Sequence, residues 1–190
     1  MMTYEEEIEA AVKILKEGKV MLYPTDTIWG LGCDATNPKA VEKIYKIKRR
    51  SENKSLIALI DSEERLTQYV KVVPAIAYDL IHNAANPISI VYPGAQNLAK
   101  NAIGPDKTVC IRITTHEFCK EVVKRFGKAI ASTSANLSGQ PTPLIFNQIS
   151  DEIKQTVDHI VGLYQDELKL PKASTIIKLE TDGSFEILRH

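Results

Sequence analysis

Five short apolar runs punctuate the chain: "KVMLY" (19–23), "SLIALID" (55–61), "PISIVYP" (87–93), "TVCIRIT" (108–114) and "KAIAST" (128–133). Each reads as a buried strand, and stretches with helical spacing lie between them. That interleaving constrains the fold more than any other feature. Before the first run, Ile8, Ala11, Val12 and Leu15 recur at helical spacing, and Gly18 is a natural stop. Asn37-Pro38 opens a second helix, with asparagine as cap and proline in the first turn, running through Val41, Ile44 and Ile47. Helical patterns follow near 62–70, 74–84, 116–127 (closed by Gly127) and 144–157. The last segment, 174–189, reads as a hairpin around Asp182-Gly183. The expectation is one α/β (α+β) domain over residues 1–190, with a large twisted mixed sheet flanked by helices.

Bulk properties narrow the function classes. A chain of 190 residues can bury a core without disulfides or metals. Lys+Arg and Asp+Glu both number 24, which argues against constitutive, non-specific nucleic-acid binding. Cys33, Cys110 and Cys119 are odd in number and form no C-x-x-C, so they read as thiols of a reducing compartment, with Cys110 in the core. The acidic start "MMTYEEEIEA" is no signal peptide and no apolar run reaches spanning length. A cytoplasmic protein without a membrane partner is expected.

Four segments carry polar chemistry. In "YPTDTIWGLGCD" (23–34), Pro24 ends a strand and Asp26 is flanked by two threonines. A well-made turn with Trp29 packed beneath it explains this; so does one wall of a small-ligand pocket. In "KIYKIKRRSENK" (43–54), six of twelve residues are Lys or Arg. A helix C-terminus attracts cations, but mutual repulsion at this density favours a polyanion, with Arg50 and Lys54 as the best phosphate donors. Arg112 lies between Ile111 and Ile113, on the opposite strand face. It reads either as half of a structural ion pair or as a carboxylate clamp for a substrate. "STSANLSGQPTP" (132–143) places hydroxyls and an amide at the end of a strand, at a sheet rim. Ser134 lacks a nucleophile elbow, and His116 is the one candidate base. Neutral positioning groups combined with distant cations fit phosphoryl or nucleotidyl transfer.

Taken together, these segments resemble the YrdC/Sua5 family of threonylcarbamoyl-AMP synthases. "PTDTIWGLGCD" is similar to that family's P-T-E/D-T-x-Y/F-G-L-x-x-D/N block, and "KRRSENKSL" to its K-x-R-P-x-x-K-P-L block. "VCIRIT", "STSANLSGQPTP" and "STII" with the final "ILR" resemble its later blocks, in order. The length resembles the short single-domain form.

The resemblance implies a concave basic cavity and a nucleotidyltransferase reaction: L-threonine, bicarbonate and ATP, with Mg²⁺, give threonylcarbamoyl-AMP and pyrophosphate. The product would feed a tRNA threonylcarbamoyl transferase complex that modifies adenosine in ANN-reading tRNAs. Carried over by motif, Lys48, Arg50 and Lys54 would be catalytic, facing the ATP phosphates. Thr27, Leu59, Arg112, Ser132 and Ser174 would line the threonine site. Thr108, Ser134, Asn136, Thr142 and Arg189, with Arg50 and Lys54, would surround the nucleotide; no residue is implied as a metal ligand. The family's prolines after the basic pair and after the lysine are Ser51 and Ser55 here, and its W-P-G-P-L/V-T is replaced by "NAANPISIVYPG", with Ser89 for threonine. These departures bear on the adjoining cavity wall. The alternative function is a non-catalytic module binding double-stranded RNA or tRNA through the same basic residues.

Overall fold

The computed structural model describes residues 2–50, 56–104, 106–167 and 174–189. Helix α1 (Tyr4–Lys16) starts with a capping box: the Thr3 hydroxyl accepts from the Glu6 amide, and the Glu6 side chain accepts from the Thr3 amide. Strands β1 (Met21–Tyr23) and β2 (Gly30–Asp34) form an antiparallel pair around the 24–29 loop. Helix α2 (Pro38–Lys48) begins at the Asn37 cap and ends at Arg49, which adopts the left-handed conformation. Then come β3 (Ile57–Ile60), a short α3 (Leu66–Tyr69), α4 (Ile76–Asn83), β4 (Ile88–Tyr92) and β5 (Val109–Ile113). Helix α5 (Glu117–Phe126) closes on Gly127 at φ +79°, a value that favours glycine. The chain ends with β6 (Ile130–Ser134), α6 (Asp151–Thr156), β7 (His159–Ile160), β8 (Thr175–Leu179) and β9 (Phe185–Arg189).

Among the described residues, nine strands form one mixed sheet in the order β7-β1-β2-β6-β3-β5-β4-β8-β9. Three pairs are parallel (β1/β7, β3/β5, β4/β8) and the other five are antiparallel. The expected α/β architecture is present. Two strands were not legible in the sequence. Strand β2 is buried along its whole length and carries two glycines, so it shows no alternation. Strand β7 spans only two residues. The helical patterns at 62–70 and 144–157 resolve into shorter pieces, each a 3₁₀ turn followed by a short α-helix.

Strand alternation sorts side chains onto two faces. On one face Leu22, Leu31, Ile60, Ile90 and Ile111 pack beneath Val41, Ile44 and Tyr45 of α2. On the other, Met21, Tyr23, Leu59 and Ile130 pack against Ile8 and Leu15 of α1 and Phe118 and Val122 of α5. Burying each such aliphatic side chain contributes about 1.5–3 kcal/mol. Helices α1 and α5 do not cover the whole of that second face. Along β6 it changes from Ile130 to Ser132 and Ser134, and along β3 from Leu59 to Ile57. Where the covering helices end, the face opens into a cavity.

Candidate active site

The cavity has a volume of about 620 Å³. Its floor is sheet: Ile57, Cys110, Arg112, Ser132 and Ser134, with Val91 and Ile176 beside them. Cys110 is buried, as expected of a core residue, and because it alternates onto the Arg112 side of β5 it also forms part of the cavity floor. Burial pushes its thiol up to about 11, so it stays protonated at neutral pH. The walls include the 25–30 loop, Arg50, Thr142, Leu144, Ser174 and Arg189. Among the described lining residues three are arginines and none is acidic.

Arg112 is 7 % exposed, and each of its three nitrogens donates one hydrogen bond, which leaves one N–H on each terminal nitrogen for a ligand. Its Nε donates to Ser89 Oγ at 2.9 Å, Nη1 to Thr27 Oγ1 at 3.3 Å and Nη2 to Ser174 Oγ at 2.5 Å. All three partners are neutral hydroxyls. Among the described residues no carboxylate partners this guanidinium, so the structural ion pair is set aside. Burial lowers its pKa, but arginine still remains charged. The Asp26 carboxylate acts on it from a distance but does not outweigh burial, and a buried cation whose direct partners are all neutral favours an incoming anion strongly. The Ser174 hydroxyl also accepts from Arg189 Nη2 at 3.0 Å, so two guanidinium groups converge on one oxygen.

The loop carrying Thr27 is fastened at both ends. Thr25 Oγ1 donates to the Ile28 carbonyl and accepts from the Thr27 amide, as a local turn should. Asp26 bonds a distant element: its carboxylate accepts from Thr114 Oγ1, Thr115 Oγ1 and the Thr115 amide at the end of β5. Trp29 packs on Phe146 at 4.8 Å between ring centroids while also lining the cavity.

The basic cluster divides by direction. Lys43 reaches the Gly18 carbonyl, Lys46 pairs with Glu42, and Arg49 pairs with Glu152. Arg50 turns into the cavity, where Nη1 donates to Thr133 Oγ1 at 3.3 Å. Lys54 lies outside the described residues.

Lys48 is placed differently from the expectation that it faces phosphate. It is 2 % exposed, and its ammonium donates to the Ser134 carbonyl, the Asn136 carbonyl and Asn136 Oδ1. Its own carbonyl accepts from the Ser138 amide. Lys48 therefore holds the 134–138 loop in place beneath the cavity. Burial and the nearby Arg50 charge lower its pKa to about 8. Asn136 is likewise turned inward: Oδ1 accepts from Ser134 Oγ, and Nδ2 donates to the Leu137 and Gln140 carbonyls.

Other candidates divide in the same way. Ser132, Ser134, Thr142, Ser174 and Arg189 line the cavity. Leu59 does not: it sits one alternation too far along β3, under α1 and α5. Thr108 precedes β5 and lies outside the lining, its carbonyl accepting from the Gly104 amide. His116 caps α5 and packs edge-on against Tyr164, and it is not a cavity residue, so among the described residues Ser134 has no histidine partner. Ser89 was missed as a site residue. Two signals pointed to it: a lone hydroxyl inside the apolar strand "ISIVY", and its place where the resembling block carries threonine.

A family model described as "Telomere recombination", covering Sua5, YciO and YrdC proteins, matches residues 13–190. The chain belongs to this family. Among curated relatives, the threonylcarbamoyl-AMP synthase of Pseudoalteromonas translucida is 37 % identical over 169 residues, covering 87 % of this chain and 88 % of the relative. That of Vibrio campbellii is 30 % identical, covering 84 % and 86 %. Among solved structures, Pyrococcus abyssi Sua5 complexed with L-threonine superimposes with a TM-score of 0.88 at 28 % identity; all of this chain matches, spanning 55 % of that one. Escherichia coli YciO shares the fold at 23 % identity and a TM-score of 0.84, with 100 % and 91 % covered.

Proposed function

We infer that the chain is a threonylcarbamoyl-AMP synthase. The observation that carries this reading is the Arg112 guanidinium, buried on neutral hydroxyls in a cavity of substrate size, in a chain whose curated relatives bear that name. Arg112 takes the threonine carboxylate, flanked by Thr27, Ser132 and Ser174. The threonine amine adds to carbon dioxide, drawn from bicarbonate, to give a carbamate and a proton. A carbamate oxygen attacks the α-phosphorus of ATP, and pyrophosphate leaves. Arg50 and Arg189 offset the charge gathered by three converging anions. Lys54 is assigned to the same phosphates by motif. Ser134 and Thr142 orient the nucleotide, and Lys48 with Asn136 keeps their loop in shape.

The described lining offers no carboxylate for a metal, and no metal-binding cluster of His, Cys, Asp or Glu occurs among the described residues. Mg²⁺ would come with ATP as part of the substrate and would help to neutralise its phosphates. The product is a mixed anhydride, which a tRNA threonylcarbamoyl transferase would consume. No helix among the described residues is long and apolar enough to cross a membrane. The RNA-binding alternative loses ground because Lys46 and Arg49 are engaged by acids, leaving a less basic outer surface.

The test is incubation with ATP, bicarbonate and labelled threonine. Threonine-dependent pyrophosphate release with a labelled adenylate is expected. Adenylate formed equally well from another amino acid, or none at all, would sink the assignment.

A further inference from the structure

The Tyr23 side chain reaches across a neighbouring strand to a hydroxyl in the cavity. Tyr23 lies on β1 and pairs with Gly30 of β2; Gly32 of β2 pairs with Ser132 of β6. The phenol oxygen of Tyr23 sits 2.6 Å from Ser132 Oγ, two strands away. That path exists because Gly32 has no side chain: a Cβ there would lie 2.6 Å from Tyr23 Cε1. The ring occupies the space that any other residue at position 32 would fill.

The direction of this hydrogen bond follows from burial. Tyr23 has no exposed surface, and among the described residues Ser132 is its one hydrogen-bond partner. A buried phenol proton left without an acceptor is costly. Tyr23 therefore donates, and Ser132 accepts through one lone pair. The single Ser132 proton is then left free to point into the cavity that Ser132 lines. Burial also pushes the Tyr23 pKa far up, so the phenol remains a protonated donor at any pH the protein meets.

We propose that Tyr23, acting over Gly32, is a positioning residue that fixes the Ser132 hydroxyl as a donor toward bound threonine. The role in threonine binding rests on the synthase reading; the orientation of Ser132 does not. A rotor held in place before binding spares the ligand part of its ordering cost. Tyr23→Phe keeps the ring and removes the donor, so Ser132 is free to rotate.

The experiment compares wild type, Tyr23→Phe, Ser132→Ala and the double variant by calorimetry with L-threonine and with a non-hydrolysable ATP analogue. Tyr23→Phe should weaken threonine about three- to tenfold, the range of one hydrogen bond, and leave the nucleotide analogue within about twofold. In the Ser132→Ala background Tyr23→Phe should have no further effect on threonine. A purely structural tyrosine would lower the melting temperature without changing threonine affinity. That result, or effects that multiply in the double variant, would overturn the proposal. Proton NMR provides the independent arm. A slowly exchanging Tyr23 phenolic proton should appear in wild type and shift or vanish in Ser132→Ala. Should wild type bind no threonine, the synthase reading fails, yet this resonance still decides the orientation: no protected phenolic proton means no donation to Ser132.

Discussion

The Lys48 ammonium lies 2.6 Å from both the Ser134 and the Asn136 carbonyl oxygens, joining the end of α2 to the loop after β6. Three N–H groups meet three acceptors, counting Asn136 Oδ1, and none is left for a ligand. Lys48→Met should therefore disturb the nucleotide side of the cavity indirectly. A loss of about 10²–10³ in kcat/KM for ATP is expected, in the range of a lost electrostatic contact, with a smaller effect on threonine. Steady-state kinetics with each substrate varied in turn checks this; equal losses for both substrates would argue against it.

The same residue sets a pH dependence. The Lys48 pKa is about 8 in the folded protein, against about 10.4 for an unfolded lysine. Between those values the unfolded chain binds more protons, so the stability contributed by this site rises with pH. The melting-temperature difference, wild type minus Lys48→Met, should grow from pH 8 to pH 10. Activity should move the other way, because a neutral amine offers one donor fewer to the loop. A flat difference across that window would show that Lys48 titrates normally.

How much of this was readable from sequence varied with the physics. Local signals with one cause survived: the Asn37-Pro38 helix start, the Gly127 stop and the Asp182-Gly183 hairpin all stand in the structure. Arg112 was placed on the correct strand face because alternation needs no tertiary knowledge. The inward turn of Lys48 was not legible, since lysine spacing does not distinguish phosphate from backbone carbonyl as its acceptor. Leu59 failed for a similar reason: which end of a strand the helices cover is decided by packing, not by period. Strand β2 was hidden because Gly32 is there for Tyr23's ring, a reason carried by another strand.

Asp26 anchors the threonine-side loop to the end of β5 through Thr114 and Thr115. Asp26→Asn keeps the shape but replaces one acceptor oxygen with a donor facing other donors. A loss of about 1–3 kcal/mol in unfolding free energy is expected for the mispaired group. The threonine KM should rise with it, because Thr27 is the next residue. Urea titration and threonine-dependent pyrophosphate release test the two halves separately; unchanged stability would show that the loop is held elsewhere.

The three thiols should be slow to react. Cys33 and Cys119 are fully buried, and the Cys110 thiol, although in the cavity floor, has its pKa pushed up to about 11 by burial. At pH 7.5 almost none of Cys110 is thiolate, and the other two are closed to reagent by burial. Native protein should take up no iodoacetamide at any of these positions over the time in which unfolded protein is fully alkylated, as read by mass spectrometry. Rapid labelling of Cys110 would mean that the cavity is wetter than its geometry implies.

Arg112 separates stability from function. Its charge is buried against Ser89, Thr27 and Ser174, with no carboxylate in direct contact among the described residues, and the more distant Asp26 charge offsets only part of the desolvation. Removing such a charge relieves a cost that the fold carries for its ligand, whereas removing half of a compensated pair would leave its partner stranded. Arg112→Met, which keeps much of the volume, should therefore hold or raise the melting temperature while threonine affinity falls about a hundredfold or more, the scale of a charge-assisted carboxylate contact. Arg112→Lys should not rescue it, because one ammonium cannot reproduce a fork that spans three hydroxyls. Thermal melts and threonine calorimetry on the two variants decide the matter. A sharp fall in melting temperature for Arg112→Met would mean that the guanidinium is structural, and that the threonine carboxylate must be sought elsewhere in the cavity.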